Sequence, residues 1–160
     1  MNVRGTPLRA DSLLRTLAEF RYELRRFLHF SESAALGAGL QPKQHQLLLQ
    51  VAGAPEGTVV TIAYAAERLG LKHNSAVELV DRSEHEGLLT RAEDTADKRR
   101  AILRVTRKGS LILKHLADDH ARELNELAPH LARALEDIKI HARNGRSFKD
   151  EDPTLGADCQ

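Results

Sequence analysis

The sequence contains few aromatic residues and almost no cysteine, and it has no long hydrophobic run. Among 160 residues there is one cysteine, one methionine and no tryptophan, and aromatics make up 4%. The lone Cys159 excludes an intrachain disulfide and any metal site built from several cysteines. No stretch reaches the roughly 20 apolar residues of a membrane span, and residues 1–10 lack the apolar core of a secretory signal. We therefore expect a cytoplasmic protein with a core of Leu, Val, Ile and Ala.

Charge and chemical motifs narrow the function classes further. The formal net charge is +1, so the overall balance neither requires nor excludes a nucleic-acid partner. The sequence has no Gly-rich phosphate loop, nucleophile elbow or His-Glu metal motif. Cys159 lies without a cationic neighbour in a polar terminal segment, which favours an inert thiol over a redox sensor. We expect a protein that is not an enzyme, with no catalytic residue, no metal and no cofactor.

Two long amphipathic segments flank the centre of the chain. In residues 11–40, capped by Asp11 and Ser12, apolar side chains recur at steps of four and three, which is a heptad seam: Leu13, Leu17, Phe20, Leu24 and Phe27. Residues 107–141 carry a second stripe, and Pro129 within it predicts a kink or break between two helices. Because one chain cannot easily bury both stripes, they predict dimerisation helices. Residues 1–10 and 142–160 are polar enough to predict a flexible N-terminus and a disordered tail.

Residues 41–106 form a compact unit of short elements. A helix opens at Gln41-Pro42, and Val59-Val60 is a short strand-like piece. Two more helices follow, one capped by Thr61 and one ending at Gly87, and then two strands and a further helix capped by Thr106. The predicted fold is mainly α with a small β-wing: a winged helix-turn-helix (residues 41–106) flanked by N- and C-terminal dimerisation helices.

The two helices between Thr61 and Gly87 fit a helix-turn-helix. Gly70 permits the left-handed conformation of a tight turn, and Leu71 is its apolar plug. On the second helix the residues that face inward are Ala76, Leu79, Val80 and Ser83. The polar residues left pointing outward are Lys72, His73, Asn74, Ser75, Glu78 and Arg82. Such residues suit a groove of duplex DNA, where Asn pairs with adenine and Glu accepts from cytosine. A helix pair alone is also a common packing unit, so it leaves DNA binding open.

The loop between the two strands strengthens the DNA interpretation. It ends in Asp97, Lys98, Arg99 and Arg100, three consecutive cations at the tip of a hairpin. Clustered like charges repel unless they face phosphates or enter the narrow, electronegative minor groove. A solvated basic turn is the ordinary alternative. Directly after a helix-turn-helix, a wing that reaches DNA explains the cluster better.

Taken together, these motifs resemble the MarR family of winged helix-turn-helix regulators. The resemblance rests on Leu69-Gly70-Leu71, Val80-Asp81-Arg82, Gly87-Leu88, Asp97 to Arg100, and Leu103 to Gly109 in this order, and covers roughly residues 11–141. It implies a two-fold dimer that reads a pseudo-palindromic operator, with Arg99 in the minor groove and Asp97 orienting it. The sequence departs from the family pattern at Lys72, Glu78 and Ser83, which leaves the base code open.

The resemblance also implies control by a small aromatic effector. Candidate pocket residues are Arg21, Tyr22, Arg25, His45 and His85, although each also fits an ordinary surface or core position. We expect a repressor that the effector releases from DNA. Two alternatives stay open at this point. One is a metal-responsive regulator that uses some of the eight histidines, and the other is a dimeric protein-interaction module that does not bind DNA.

Overall fold

The computed structural model describes residues 9–97 and 100–147, and side chains from residue 12 to residue 143 within them. In chain order the described elements are α1 (Arg9–Gly37), α2 (Pro42–Ala52), α3 (Ile62–Leu69), α4 (His73–His85), β1 (Leu89–Glu93), β2 (Ala101–Val105) and α5 (Arg107–Ser147). The strands pair antiparallel, with Leu89 opposite Val105 and Glu93 opposite Ala101. This confirms the predicted fold class, mainly helical with a small β-wing. No described helix combines the length and apolar composition of a membrane span.

Side-chain caps fix where several helices begin. The Thr61 hydroxyl accepts a hydrogen bond from the Tyr64 N–H (3.2 Å), and the Thr106 hydroxyl accepts one from the Gly109 N–H (3.1 Å). At the start of α2 the Gln44 side chain accepts from the Gln41 N–H at 3.0 Å. Such bonds satisfy donors that have no partner inside the helix. The two threonine caps predicted from the sequence are thus confirmed.

The chain divides into two compact units. The first consists of residues 29–122 and contains α2, α3, α4 and both strands. Its core is aliphatic, as the scarcity of aromatics predicted, and its most deeply buried leucines are Leu40, Leu47, Leu48, Leu88, Leu89 and Leu116. The second unit combines residues 1–28 with 123–160, of which the structure describes 9–28 and 123–147. Leu127 and Ala134 are buried within it.

Three sequence-based expectations about these elements are wrong. Helix α5 continues through Pro129 as one helix, so the expected break into two helices is absent, because a proline removes a single N–H donor while the turns on either side keep their own bonds. Val59-Val60 is not a strand: the Val60 carbonyl accepts one bond from the Leu103 N–H (2.8 Å), and one bond does not make a ladder. Helix α1 begins at Arg9, before the predicted caps Asp11 and Ser12.

Candidate nucleic-acid interface

A tight turn joins α3 to α4. Gly70 ends α3 in the left-handed conformation (φ 61°, ψ 35°), which glycine adopts without a steric penalty. The Leu71 N–H donates to the Ala66 carbonyl at 2.9 Å. Ala65 and Ala66 are buried, and their small side chains let α4 approach α3 closely. The predicted helix-turn-helix is therefore present, and the turn fixes the start of α4.

Helix α4 has two faces of different composition. Its inner face consists of Ala76, Leu79, Val80 and Ser83, each at most 2% exposed, as the sequence predicted. The Ser83 hydroxyl donates to the Leu79 carbonyl at 2.8 Å, so this buried polar group is satisfied within the helix. The residues predicted to contact DNA all lie exposed on or before the helix: Lys72, His73, Asn74, Ser75, Glu78 and Arg82.

The N-terminal end of α4 has the geometry of an anion site. Lys72 is its N-cap and has no side-chain cap bond, and the first helical bond runs from the Ala76 N–H to the Lys72 carbonyl. The earlier N–H groups are thus free of helix partners and carry the positive end of the helix dipole. The rest of α4 is acidic, with three carboxylates (Glu78, Asp81 and Glu84) against one cation, Arg82.

The base of the wing loop is held by its own charges. Asp94, which is buried, accepts a bond from the Ala96 N–H (2.9 Å), and this bond is the leading cause that lowers the pKa of the Asp94 carboxyl. Arg100 Nη2 lies 2.9 Å from Asp94 Oδ2, and Arg100 Nε lies 3.6 Å from Asp97 Oδ2. Two carboxylates therefore hold Arg100. The predicted contacts Lys98 and Arg99 lie outside the described residues.

A second charge cluster joins the wing to α4. The Arg91 N–H in β1 donates to Glu84 Oε1 at 3.0 Å. The Arg91 guanidinium donates to Glu84 Oε2 and to Asp81 Oδ1. Desolvation lowers the pKa of Arg91, but the hydrogen bond to Asp81 and the charge of Glu84 outweigh it, so that this pKa lies above its usual value. The cluster is a permanently charged link between the strand and the helix.

The candidate effector residues are distributed over both units. Arg21, Tyr22 and Arg25 are exposed on α1, in the unit that contains residues 1–28. His45 is buried and His85 is exposed, both in the unit of residues 29–122. The unit of residues 1–28 and 123–160 contains a groove of about 260 Å³, and none of the five residues lines it. Its walls include Arg15, Glu19, Phe20, His130, Arg133 and Asp137.

His45 belongs to a cluster that the sequence did not indicate. Its ring centre lies 5.0 Å from that of His120, and the His120 ring meets Phe30 edge to face at 5.5 Å. His120 Nε2 lies 2.8 Å from the Ser31 hydroxyl oxygen. Burial first, and then the nearby His120 charge, lower the pKa of His45. Among the described residues no group of three or more His, Cys, Asp or Glu is arranged to hold a metal ion.

Sequence reasoning missed two residues that shape the interface. Asp94 follows β1 and bonds two residues ahead, which is the Asx-turn pattern of a loop start and was a usable signal. Arg91 had no such local signal, because its partners lie seven and ten residues earlier in the chain. Tertiary packing of β1 beside the C-terminal half of α4 brings these groups together.

Comparison with known proteins agrees with this geometry. The model of the MarR family matches residues 38–100, which span the helix-turn-helix and the wing up to Arg100. No curated protein matches the chain significantly in sequence.

Solved structures share the fold at low sequence identity. A MarR family protein from Bacillus stearothermophilus is 22% identical, with 92% of this chain and 98% of that chain covered and a TM-score of 0.63. The MarR family transcription regulator SP03579 is 19% identical, covers 88% and 93%, and has a TM-score of 0.68. An S. aureus MepR–DNA complex is 17% identical, covers 82% and 94%, and has a TM-score of 0.60. At these identities the likeness is one of fold.

Proposed function

We propose that this chain is a winged-helix transcriptional regulator of the MarR family, and that it acts as a dimeric repressor which binds a pseudo-palindromic operator. The observation that carries the proposal is the two-faced helix α4. One face is buried against α3 and the sheet, while the opposite face presents polar side chains and free N–H groups to solvent. A helix with these properties fits the major groove of B-DNA.

In this proposal α4 reads base edges while its N-terminal end meets phosphate. The amide of Asn74 has the donor and acceptor pair that matches adenine, and the Glu78 carboxylate accepts from cytosine N4. Arg82, about one turn beyond Glu78, supplies a cation for the phosphate backbone. Because α4 is acidic overall, attraction to DNA must come from its helix dipole and from cations outside it.

The wing supplies those cations in the proposal. Lys98 and Arg99 reach the minor groove, and Asp97 orients Arg99 there by a charge-assisted hydrogen bond. Arg100 is held by two carboxylates at the base of the loop and remains 47% exposed. It therefore shapes the wing and faces phosphate at the same time. The fold is shared with S. aureus MepR, which forms a complex with DNA, and this likeness supports a DNA partner.

The dimer is proposed from apolar surface that one chain leaves uncovered. In the unit of residues 1–28 and 123–160, exposed leucines and an isoleucine interrupt the charged surface: Leu14, Leu17, Leu24, Leu28, Leu124, Leu135 and Ile140. A second copy covers such stripes economically, and it places two recognition helices on successive turns of DNA. Leu24→Glu should therefore give a smaller species in sedimentation, whereas Lys43→Glu at an exposed position on α2 should not. An unchanged dimer in Leu24→Glu would argue against this interface.

Release by a small aromatic effector is a further part of the proposal. Arg21 and Arg25 lie one turn apart on α1, next to the Tyr22 phenol, and all three are exposed. Cations and a phenol are suited to an aromatic acid. His45 and His85, both within residues 29–122, are the other proposed effector residues. Aromatic acids should lower operator affinity, and Arg25→Ala should reduce that response.

A DNA partner is also consistent with a cytoplasmic location.

The direct test of base reading uses a duplex enriched from a random pool. We expect Asn74→Ala to weaken binding to that duplex by about 1–3 kcal/mol and to relax the preference at one base pair. The control Lys114→Ala removes an exposed cation from α5 and should leave both affinity and preference unchanged. If Asn74→Ala binds the enriched duplex as tightly as the parent protein, α4 does not read the operator.

A further inference from the structure

The cluster of Arg91, Asp81 and Glu84 ties together the two elements that meet DNA. Helix α4 ends at His85 and β1 begins at Leu89, so the chain itself connects them only at one end. Arg91 adds a second connection, because its backbone N–H and its guanidinium bind Glu84 while the guanidinium also binds Asp81. The planar fork of a guanidinium fixes direction as well as distance.

We propose that Arg91, Asp81 and Glu84 form a positioning clamp that sets the angle between α4 and the wing, and thereby the specificity of DNA binding. The inference rests on the proposed function, in which α4 enters one groove and the wing enters the next. Both elements must then be in register with the same duplex. An error in the angle between them weakens contacts to the correct sequence more than contacts to phosphate in general.

The distribution of charge distinguishes a clamp from a phosphate contact. A cation that binds phosphate needs free donors toward the DNA, whereas the Arg91 guanidinium is bound by two carboxylates and its side chain is 25% exposed. Asp81 and Glu84, by contrast, are carboxylates on a helix that approaches a polyanion. Their repulsion from DNA weakens binding, and this loss of affinity is offset because they hold Arg91 in place.

The test compares affinity for the enriched duplex with affinity for a scrambled duplex. In the double variant Asp81→Ala/Glu84→Ala, two anions are removed and Arg91 is released. A purely electrostatic role predicts tighter binding to both duplexes. The clamp predicts unchanged or tighter binding to the scrambled duplex but weaker binding to the enriched one, so the ratio of the two affinities falls by about five- to tenfold.

A second variant keeps the positive charge at position 91 and removes the planar guanidinium. Arg91→Lys retains a cation but cannot bind two carboxylates as a planar fork, so the affinity ratio should fall while the salt dependence of binding stays the same. Were Arg91 a phosphate contact, Arg91→Ala would lower the slope of log affinity against log salt by about one. The control Glu86→Ala removes an exposed carboxylate just beyond α4 that the clamp does not use.

The outcomes separate this inference from the proposed function. If the parent protein does not distinguish the enriched from the scrambled duplex, the proposed function fails and the clamp with it. If Arg91→Lys and the double variant distinguish the enriched from the scrambled duplex as well as the parent protein does, only the clamp is overturned. Thermal unfolding of each variant identifies any that has lost its fold. If the double variant does not fold, the affinity ratio of Arg91→Lys, the mildest change, decides whether the clamp exists.

Discussion

Replacing Gly109 with alanine probes how α5 is seated against the sheet within residues 29–122. A Cβ at this position would lie 2.3 Å from the Leu88 carbonyl oxygen and 2.7 Å from a methyl of Val105. The Leu88 oxygen already accepts from the Thr106 N–H at 3.1 Å, and the Thr106 hydroxyl donates to the adjacent Gly87 carbonyl at 2.7 Å, so this backbone cannot retreat without losing these bonds. The start of α5 must therefore shift away from the sheet.

The expected cost combines two opposing effects. Overpacking of a close contact costs about 1–3 kcal/mol, and the rigid backbone oxygen places Gly109→Ala at the upper end. Alanine recovers up to about 1 kcal/mol of helix propensity relative to glycine. We expect the free energy of unfolding to fall by about 2 kcal/mol, which corresponds to about 4–8 °C in Tm for a chain of this size.

Urea unfolding at one fixed protomer concentration measures the effect. The matched control is Gly37→Ala at the end of α1, where an added Cβ meets no atom within 4 Å. Its stability should change by no more than about 0.5 kcal/mol. If Gly109→Ala unfolds at the same urea concentration as Gly37→Ala, the close approach of α5 to Leu88 does not hold this unit together.

Three further predictions concern the turn, the buried histidine and the wing. Gly70→Ala should lower stability by about 1–2 kcal/mol in urea unfolding, since φ is 61° there, and Gly70→Asn should lower it less. The unfolded chain protonates His45 near the usual pKa of 6.5, whereas the folded chain resists protonation, so stability should fall as pH drops below about 6.5. In urea unfolding at several pH values, His45→Gln should reduce the pH dependence of the free energy of unfolding. An unchanged pH dependence would mean that another group causes it. Arg99→Ala should weaken operator binding by about 1–3 kcal/mol with no change in Tm. Unchanged affinity would mean that the wing tip does not contact the operator.

Local signals in the sequence predicted most of the elements correctly. Periodicity placed the inner face of α4, and the residues assigned inward, such as Leu79 and Val80, are buried. Thr61 and Thr106 act as caps, and Gly70 adopts the left-handed conformation. These features depend on residues at most four apart along the chain, so composition and spacing are sufficient to identify them.

Features that depend on distant partners were not predicted. Arg91 reaches across to α4, and the Val60 carbonyl pairs with Leu103, which follows it by more than forty residues. His45 meets His120 through tertiary folding alone. The break expected at Pro129 is absent for another reason, since a long helix tolerates the loss of one donor. The contacts proposed for Asn74, Glu78 and the wing tip remain predictions.

Selection from a pool of random duplexes tests the central claim most directly. A two-fold dimer with one α4 per half-site should enrich a pseudo-palindrome whose half-site centres lie about 10 base pairs apart. Binding to the enriched duplex should also weaken steeply with salt, because each neutralised phosphate releases counterions. A pool that stays random after repeated selection, or binding that does not change with salt, would contradict sequence-specific recognition of DNA by this winged helix.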